Sequence, residues 1–188
     1  MIAATRKLLE TTPPAGLTIA MIAREVGADP ALVRYYFGDR QSLLLAVVED
    51  MIGAPRPPPP PSDADPADKL ARRIESSANF TRKAHSMQRL MVDELAKAKS
   101  PQIRERVREL NAHAVNSYRE ILDQEHPHPL KPADALFVFT AVIGMCDFFA
   151  SAQPVIRPQL PPDTDPDELA ERYKAFVIDL VLNGLRPR

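Results

Sequence analysis

The chain has 188 residues, 45% of them hydrophobic, and 24 basic side chains against 25 acidic ones for a formal net charge of −1; this is enough for one respectable core, with or without a small satellite domain, and excludes a large multidomain enzyme. A single cysteine, Cys146, leaves no disulfide framework and no thiolate cluster for zinc, which fits a reducing compartment. The opening segment MIAATRKLLETT lacks the charged, apolar and small-residue succession of a secretory signal, so a cytoplasmic location is expected.

Ile2 to Thr12 carries Ile2, Leu8 and Leu9 at helical spacing and stops at Pro13-Pro14, since proline cannot continue the hydrogen-bonding ladder. Thr18 opens a second helix, to Val26, whose Ile19, Ile22, Ala23 and Val26 form one apolar stripe. Gly27 closes it through the left-handed conformation, and Asp29-Pro30 supplies a cap and a first-turn proline for a third helix, to Phe37. On that helix Val33 and Phe37 are one turn apart and face inward, which leaves Ala31, Leu32, Arg34, Tyr35 and Tyr36 outside. Gly38 interrupts, and Asp39 caps a fourth helix with Leu43, Leu44, Val47, Val48 and Met51 as its buried stripe. Residues 1–53 therefore read as a first domain of four short helices, holding five basic and six acidic residues.

Residues 54–66 read as a linker, because the five prolines Pro57 to Pro61 favour an extended polyproline segment. Residues 67–188 read as a second helical domain. Its expected helices run from Ala67 to about Ala84, from Ser86 to about Lys99, from Gln102 to Glu125, from Ala133 to about Gln153, and from Asp167 to Leu185, with a proline-punctuated loop from Gln153 to Pro166. The helix from Ala133 is apolar, but Asp134 and Asp147 interrupt it and no basic flank marks a cytoplasmic side. It is expected to be a core or subunit-interface helix and not a membrane span. The fold class is all-α, with nine helices and no strand.

Chemistry-bearing patterns are few. Six scattered glycines form no phosphate-cradling loop, and no nucleophile elbow or dinucleotide fingerprint is present, so the chain is not expected to be an enzyme and no cofactor is implied. His126 and His128 form a close pair in a proline-rich loop, not an i, i+4 clamp, and no metal site is expected. Burial of Cys146 within the apolar helix would raise its pKa and leave it inert. Phe80, Met87, Met91, Phe137, Met145 and Phe148, with Phe139 and Phe149, supply flexible and aromatic surface enough for an apolar ligand pocket, although each taken singly reads more readily as ordinary core. Asn79, Arg82, His113 and Asn116 are polar candidates for orienting a ligand there.

A helix, a turn opened by glycine and a second short helix is the geometry that sets the second helix into the major groove of DNA. Residues 17–43, LTIAMIAREVGADPALVRYYFGDRQSL, resemble the DNA-binding signature of the tetracycline-repressor (TetR) family of transcription regulators. The resemblance implies a homodimer, joined through the last two helices, that binds a pseudo-palindromic operator in double-stranded DNA and releases it when a small-molecule effector enters the C-terminal domain; the Met and Phe content of that domain points to an effector of apolar character. It implies a repressor more than an activator. Carried over by position, Thr18 lies against a phosphate, Leu32, Arg34, Tyr35 and Tyr36 face the groove, and Arg40 stands where the family usually has a phosphate-contacting lysine. The alternative is a helical small-molecule-binding protein that keeps the motif as a structural corner and no longer binds DNA.

Overall fold

A computed structural model describes residues 1–54, 61, 63–84 and 87–186. Apart from Pro61, the polyproline run expected at 57–61 lies outside the described residues, as do His85 and Ser86. The regular elements of the described residues are all helical, with no strand among them. They divide into two compact units, Met1–Pro55 with Ser86–Leu110, and Arg56–His85 with Asn111–Arg188.

The first unit holds α1 (Ile2–Leu8), a short 3-10 turn (Pro14–Gly16), α2 (Ile19–Glu25), α3 (Pro30–Phe37) and α4 (Arg40–Gly53). Each boundary has a local cause. Thr18 caps α2 by accepting the Met21 N–H at 3.2 Å, Asp29 caps α3 by accepting from Ala31 N at 2.6 Å, and Asp39 caps α4 by accepting from Ser42 N at 2.7 Å. Gly27 has φ 62° and Gly38 φ 77°, the left-handed region in which a side chain is strained, so the chain turns sharply between α2 and α3 and between α3 and α4. Leu17, Ile22, Val33, Leu43, Leu44, Val47 and Val48 are buried at the centre.

Residues 87–110 cluster with this unit. In place of the single regular helix expected from Ser86 to Lys99, α6 is one α-helical turn (Met87–Arg89) that widens into a π-helical stretch over Leu90–Leu95, with Ala96 N donating to Met91 O at 2.8 Å. The wider turn brings Leu90, Met91 and Leu95 toward one face, where all three are buried, and this stretch packs on α4. Arg106 ties the unit further, its Nε donating to Glu49 at 2.6 Å.

The second unit is built from α5 (Pro66–Lys83), α8 (Ala135–Ser151), α9 (Gln153–Ile156), α10 (Pro166–Leu185) and the later residues of α7 (Pro101–Leu122). Leu70 and Ile74 of α5, Val115, Tyr118 and Leu122 of α7, Val142 and Cys146 of α8, and Val177 and Leu182 of α10 form its core. The buried Tyr118 hydroxyl lies 2.9 Å from Ser77 Oγ, and the Arg73 guanidinium sits over its ring at 5.0 Å. The loop expected after α8 contains α9 and a 3-10 turn at Arg157–Gln159, because a proline in the first turn, where no backbone donor is needed, is compatible with helix. Among the described residues no single helix is long and apolar enough to cross a membrane.

Candidate functional site

The second helix of the helix-turn-helix is bare on its outer side. Val33 is buried and Phe37 half-buried, as the spacing requires, while Ala31, Leu32, Arg34, Tyr35 and Tyr36 are exposed, Tyr35 to 82%. A tyrosine that exposed buries almost none of its ring, so folding does not account for its place. The Tyr35 and Tyr36 rings meet edge to face, 5.3 Å apart at 80°, which restricts both. Thr18 is exposed at the start of α2; its oxygen is engaged by Met21 N, and its hydroxyl proton is left to donate to a phosphate.

The cations of residues 1–53 divide into two groups. Arg6 pairs with Asp50 at 3.6 Å, Lys7 with Glu25 at 3.0 Å, and Arg40 with Glu94 at 2.7 Å. Arg24 and Arg34 are exposed and make no ion pair among the described residues. A domain without net positive charge thus keeps two such guanidinium groups, one of them on α3.

Arg40, the position expected at a phosphate, is engaged within the first unit. Its Nε donates to Leu17 O at 2.6 Å, its Nη2 to Pro14 O, and its Nη1 to the Glu94 carboxylate, with the two charged side chains only 25% and 14% exposed. One guanidinium therefore holds together the segment leading into α2, the start of α4 and the π-helical stretch. The planar fork of arginine makes three such bonds at once, and lysine has no equivalent.

The second unit contains a cavity of about 320 Å³ between α5, α8, α9 and α10. Its apolar wall includes Cys146, Phe149 and Tyr173, the two rings stacked at 3.9 Å and 6°. Its polar wall includes Arg82, Arg157 and Lys174 with Asp167 and Glu171. Of the four polar candidates, Asn79 and Arg82 line it, and His113 and Asn116 do not. None of Phe80, Met87, Met91, His113, Phe137, Met145 and Phe148 lines it. Met87 and Met91 are buried in the first unit, and Met145 packs on the core of the second. Phe80 is half-buried, while His113, Phe137 and Phe148 are exposed. Residue type alone does not say which side of α8 faces inward. The cavity takes Cys146, Phe149 and Ala150, whereas Phe137 and Phe148 lie on the opposite, outward face.

Burial pushes the Cys146 thiol up to about 11, and the neighbouring Asp147 charge adds to this while a hydrogen bond with Thr81 opposes it. The thiol is therefore neutral at physiological pH. Because its pKa rises on folding from 9.0, its contribution to stability is whole below about pH 9 and is lost as pH rises through about 11. Iodoacetamide at pH 8 is expected to label native Cys146 at least about tenfold more slowly than the guanidinium-unfolded chain; equal rates by mass spectrometry would refute the buried, neutral thiol. The His126 and His128 rings lie 5.9 Å apart, and no group of three or more metal-binding side chains occurs among the described residues.

α8 and α10 each carry large apolar side chains that the second unit does not cover. Phe137 is 70% exposed, Phe148 66% and Phe176 58%, with Leu136 and Leu180 also exposed. Gly144 lies on the same side of α8, and a methyl group added there would meet nothing within 4 Å.

Residues 1–47 match the family described as bacterial regulatory proteins, tetR family, and residues 66–181 match the tetracyclin repressor-like C-terminal domain. In fold the chain is similar to a putative transcriptional regulator from Saccharomonospora viridis in complex with choline, at 14% identity and TM-score 0.68 over 100% of this chain and 96% of that one. It is similar also to the ketosteroid transcriptional regulator of Mycobacterium tuberculosis, at 13% identity and TM-score 0.67 over 100% and 93% of the two chains. The transcriptional regulator FadR from Bacillus subtilis, in complex with stearoyl-CoA, aligns at 15% identity and TM-score 0.62 over 97% and 96%. No curated protein matches the chain in sequence. At these identities the structural likeness concerns the fold alone, but the two family matches take in both the helix-turn-helix and most of the helices beyond residue 66: the chain belongs to the TetR family of bacterial transcription regulators.

Proposed function

We propose that the protein is a homodimeric repressor that binds a pseudo-palindromic operator and is released by a small molecule held in the cavity of the second unit. The observation that carries this reading is the outer face of α3, where Arg34, Tyr35 and Tyr36 are exposed and Arg34 makes no ion pair among the described residues. Arg34 reads a guanine edge through its bidentate fork, Leu32 packs on a thymine methyl, and the tyrosine hydroxyls and Thr18 hold phosphates. Arg40 acts as an internal clamp in this scheme. The exposed faces of α8 and α10 meet their copies in a two-fold four-helix interface that pairs the two recognition helices. An effector releases DNA to the extent that it binds the non-operator conformer more tightly, and the operator weakens effector binding by the same factor.

Selection from random duplex DNA, followed by sequencing, tests the operator. The expected product is a pseudo-palindrome with half-site centres about one helical turn, or a multiple of it, apart. Arg34→Ala is expected to relax one base position in each half-site at a cost of about 1–3 kcal/mol. A uniform loss over all sequences would make Arg34 a phosphate-binding residue, and no enriched sequence at low salt would overturn the operator reading.

A further inference from the structure

The chemistry of the cavity wall restricts what it accepts. Its two carboxylates are already engaged: Asp167 with Arg82 at 2.6 Å, and Glu171 with Lys174 at 2.5 Å. Lys174 also reaches Glu75 at 3.4 Å; its pKa is raised because these carboxylates outweigh its partial burial, so it remains charged. Arg157 is exposed at the same cavity and makes no ion pair among the described residues. An entering cation therefore meets an unpaired guanidinium and no unpaired carboxylate, whereas an anion meets a planar fork suited to it. The lining also has an apolar part. Phe149 and Tyr173 are stacked, the Tyr173 hydroxyl is already bonded to Met145 O at 3.1 Å, and the Cys146 thiol is neutral. At about 320 Å³ the space is at the small end of ligand cavities, which run from roughly 300 to 1,000 Å³.

We propose that the cavity binds a compact organic monoanion with a flat unsaturated ring, its ring on the Phe149–Tyr173 wall and its anionic group on Arg157. That this compound is also the effector rests on the function proposed above. The test uses the full chain and three probes of one shape and different charge: 2-naphthoate, the neutral 2-naphthamide and the cationic 2-naphthylmethylammonium. Calorimetric titration is expected to show the acid binding at least about tenfold more tightly than the amide, with the cation weakest. Arg157→Gln is expected to bring the acid to the affinity of the amide and to leave the amide unchanged.

Equal affinities, a preference for the amide or the cation, a preference for the acid that persists in Arg157→Gln, or no binding of the acid at millimolar concentration would each overturn the anion site. Operator retardation with the same probes separates the two ideas. Binding of the acid with unchanged operator affinity supports the anion cavity and overturns its effector role. Operator release by the amide and the acid alike, at equal affinity, supports the effector role and overturns the preference for an anion.

Discussion

Replacing Arg40 by alanine is expected to lower the melting temperature by roughly 5–15 °C, and to leave the salt dependence of the remaining operator affinity unchanged. The substitution removes donors from two backbone carbonyls and leaves Glu94, only 14% exposed, without its cation. Losing charge-assisted bonds in a partly buried site costs about 2–4 kcal/mol, and each kcal/mol moves the midpoint by roughly 2–4 °C in a chain of this size. An arginine bound to phosphate would give the opposite pattern, with an unchanged melting temperature and a salt slope lower by about one for each phosphate that is no longer neutralised. Glu94→Gln keeps the shape and removes the charge, so a smaller loss of the same kind is expected. Calorimetric melting together with operator titrations over a salt series decides between the two roles.

Phe176→Glu is expected to convert the proposed dimer into particles of 20.9 kDa, the mass of one chain, in sedimentation equilibrium. Five large apolar side chains stand exposed on α8 and α10, and exposed apolar side chains, where they adjoin, mark interaction sites. A carboxylate placed among them and then desolvated by a partner costs about 3 kcal/mol or more, a loss of over a hundredfold in dimer affinity. Because Phe176 is 58% exposed in a single chain, the fold of the monomer is expected to survive, and near-unchanged helicity by circular dichroism serves as the control. Operator affinity falls with the dimer, since two tethered recognition helices bind with an avidity that separate ones lack. A dimer that persists in Phe176→Glu would refute an interface on this face.

The helix-turn-helix was legible in the sequence because its boundaries are local. Asp29-Pro30 and Gly38 delimit α3 at Pro30 and Phe37 through a cap, a fixed φ and a left-handed turn, none of which needs a distant partner. The same holds for Thr18 before α2 and Asp39 before α4, each of which accepts a backbone N–H three residues on. The outward direction of Leu32, Arg34, Tyr35 and Tyr36 follows from helical periodicity once Val33 is assigned to the core.

The cavity of the second unit was not legible in this way. Phe and Met were chosen by type, yet type does not distinguish Phe148 from Phe149, adjacent residues of which one is exposed and the other stacks on Tyr173. That assignment depends on how α8 is rotated against α5 and α10. The rotation is set by packing among residues far apart in the chain, such as Ile74, Val142 and Val177. Asn79 and Arg82, candidates by their polar character, do line the cavity, whereas Arg157 and Lys174 carry no local mark in the sequence that singles them out.

By itself, the sequence determined the helical class, the ends of α2, α3 and α4, and the face that α3 turns outward, because capping, proline geometry and the 3.6-residue period act within a few residues. Tertiary structure alone decided that Arg40 is held by Pro14, Leu17 and Glu94, that the stretch from Met87 packs with the first unit, and which side of α8 lines a cavity. Each of these depends on partners tens of residues away, where burial and charge pairing, which no local pattern encodes, select one arrangement among several that the same helices permit.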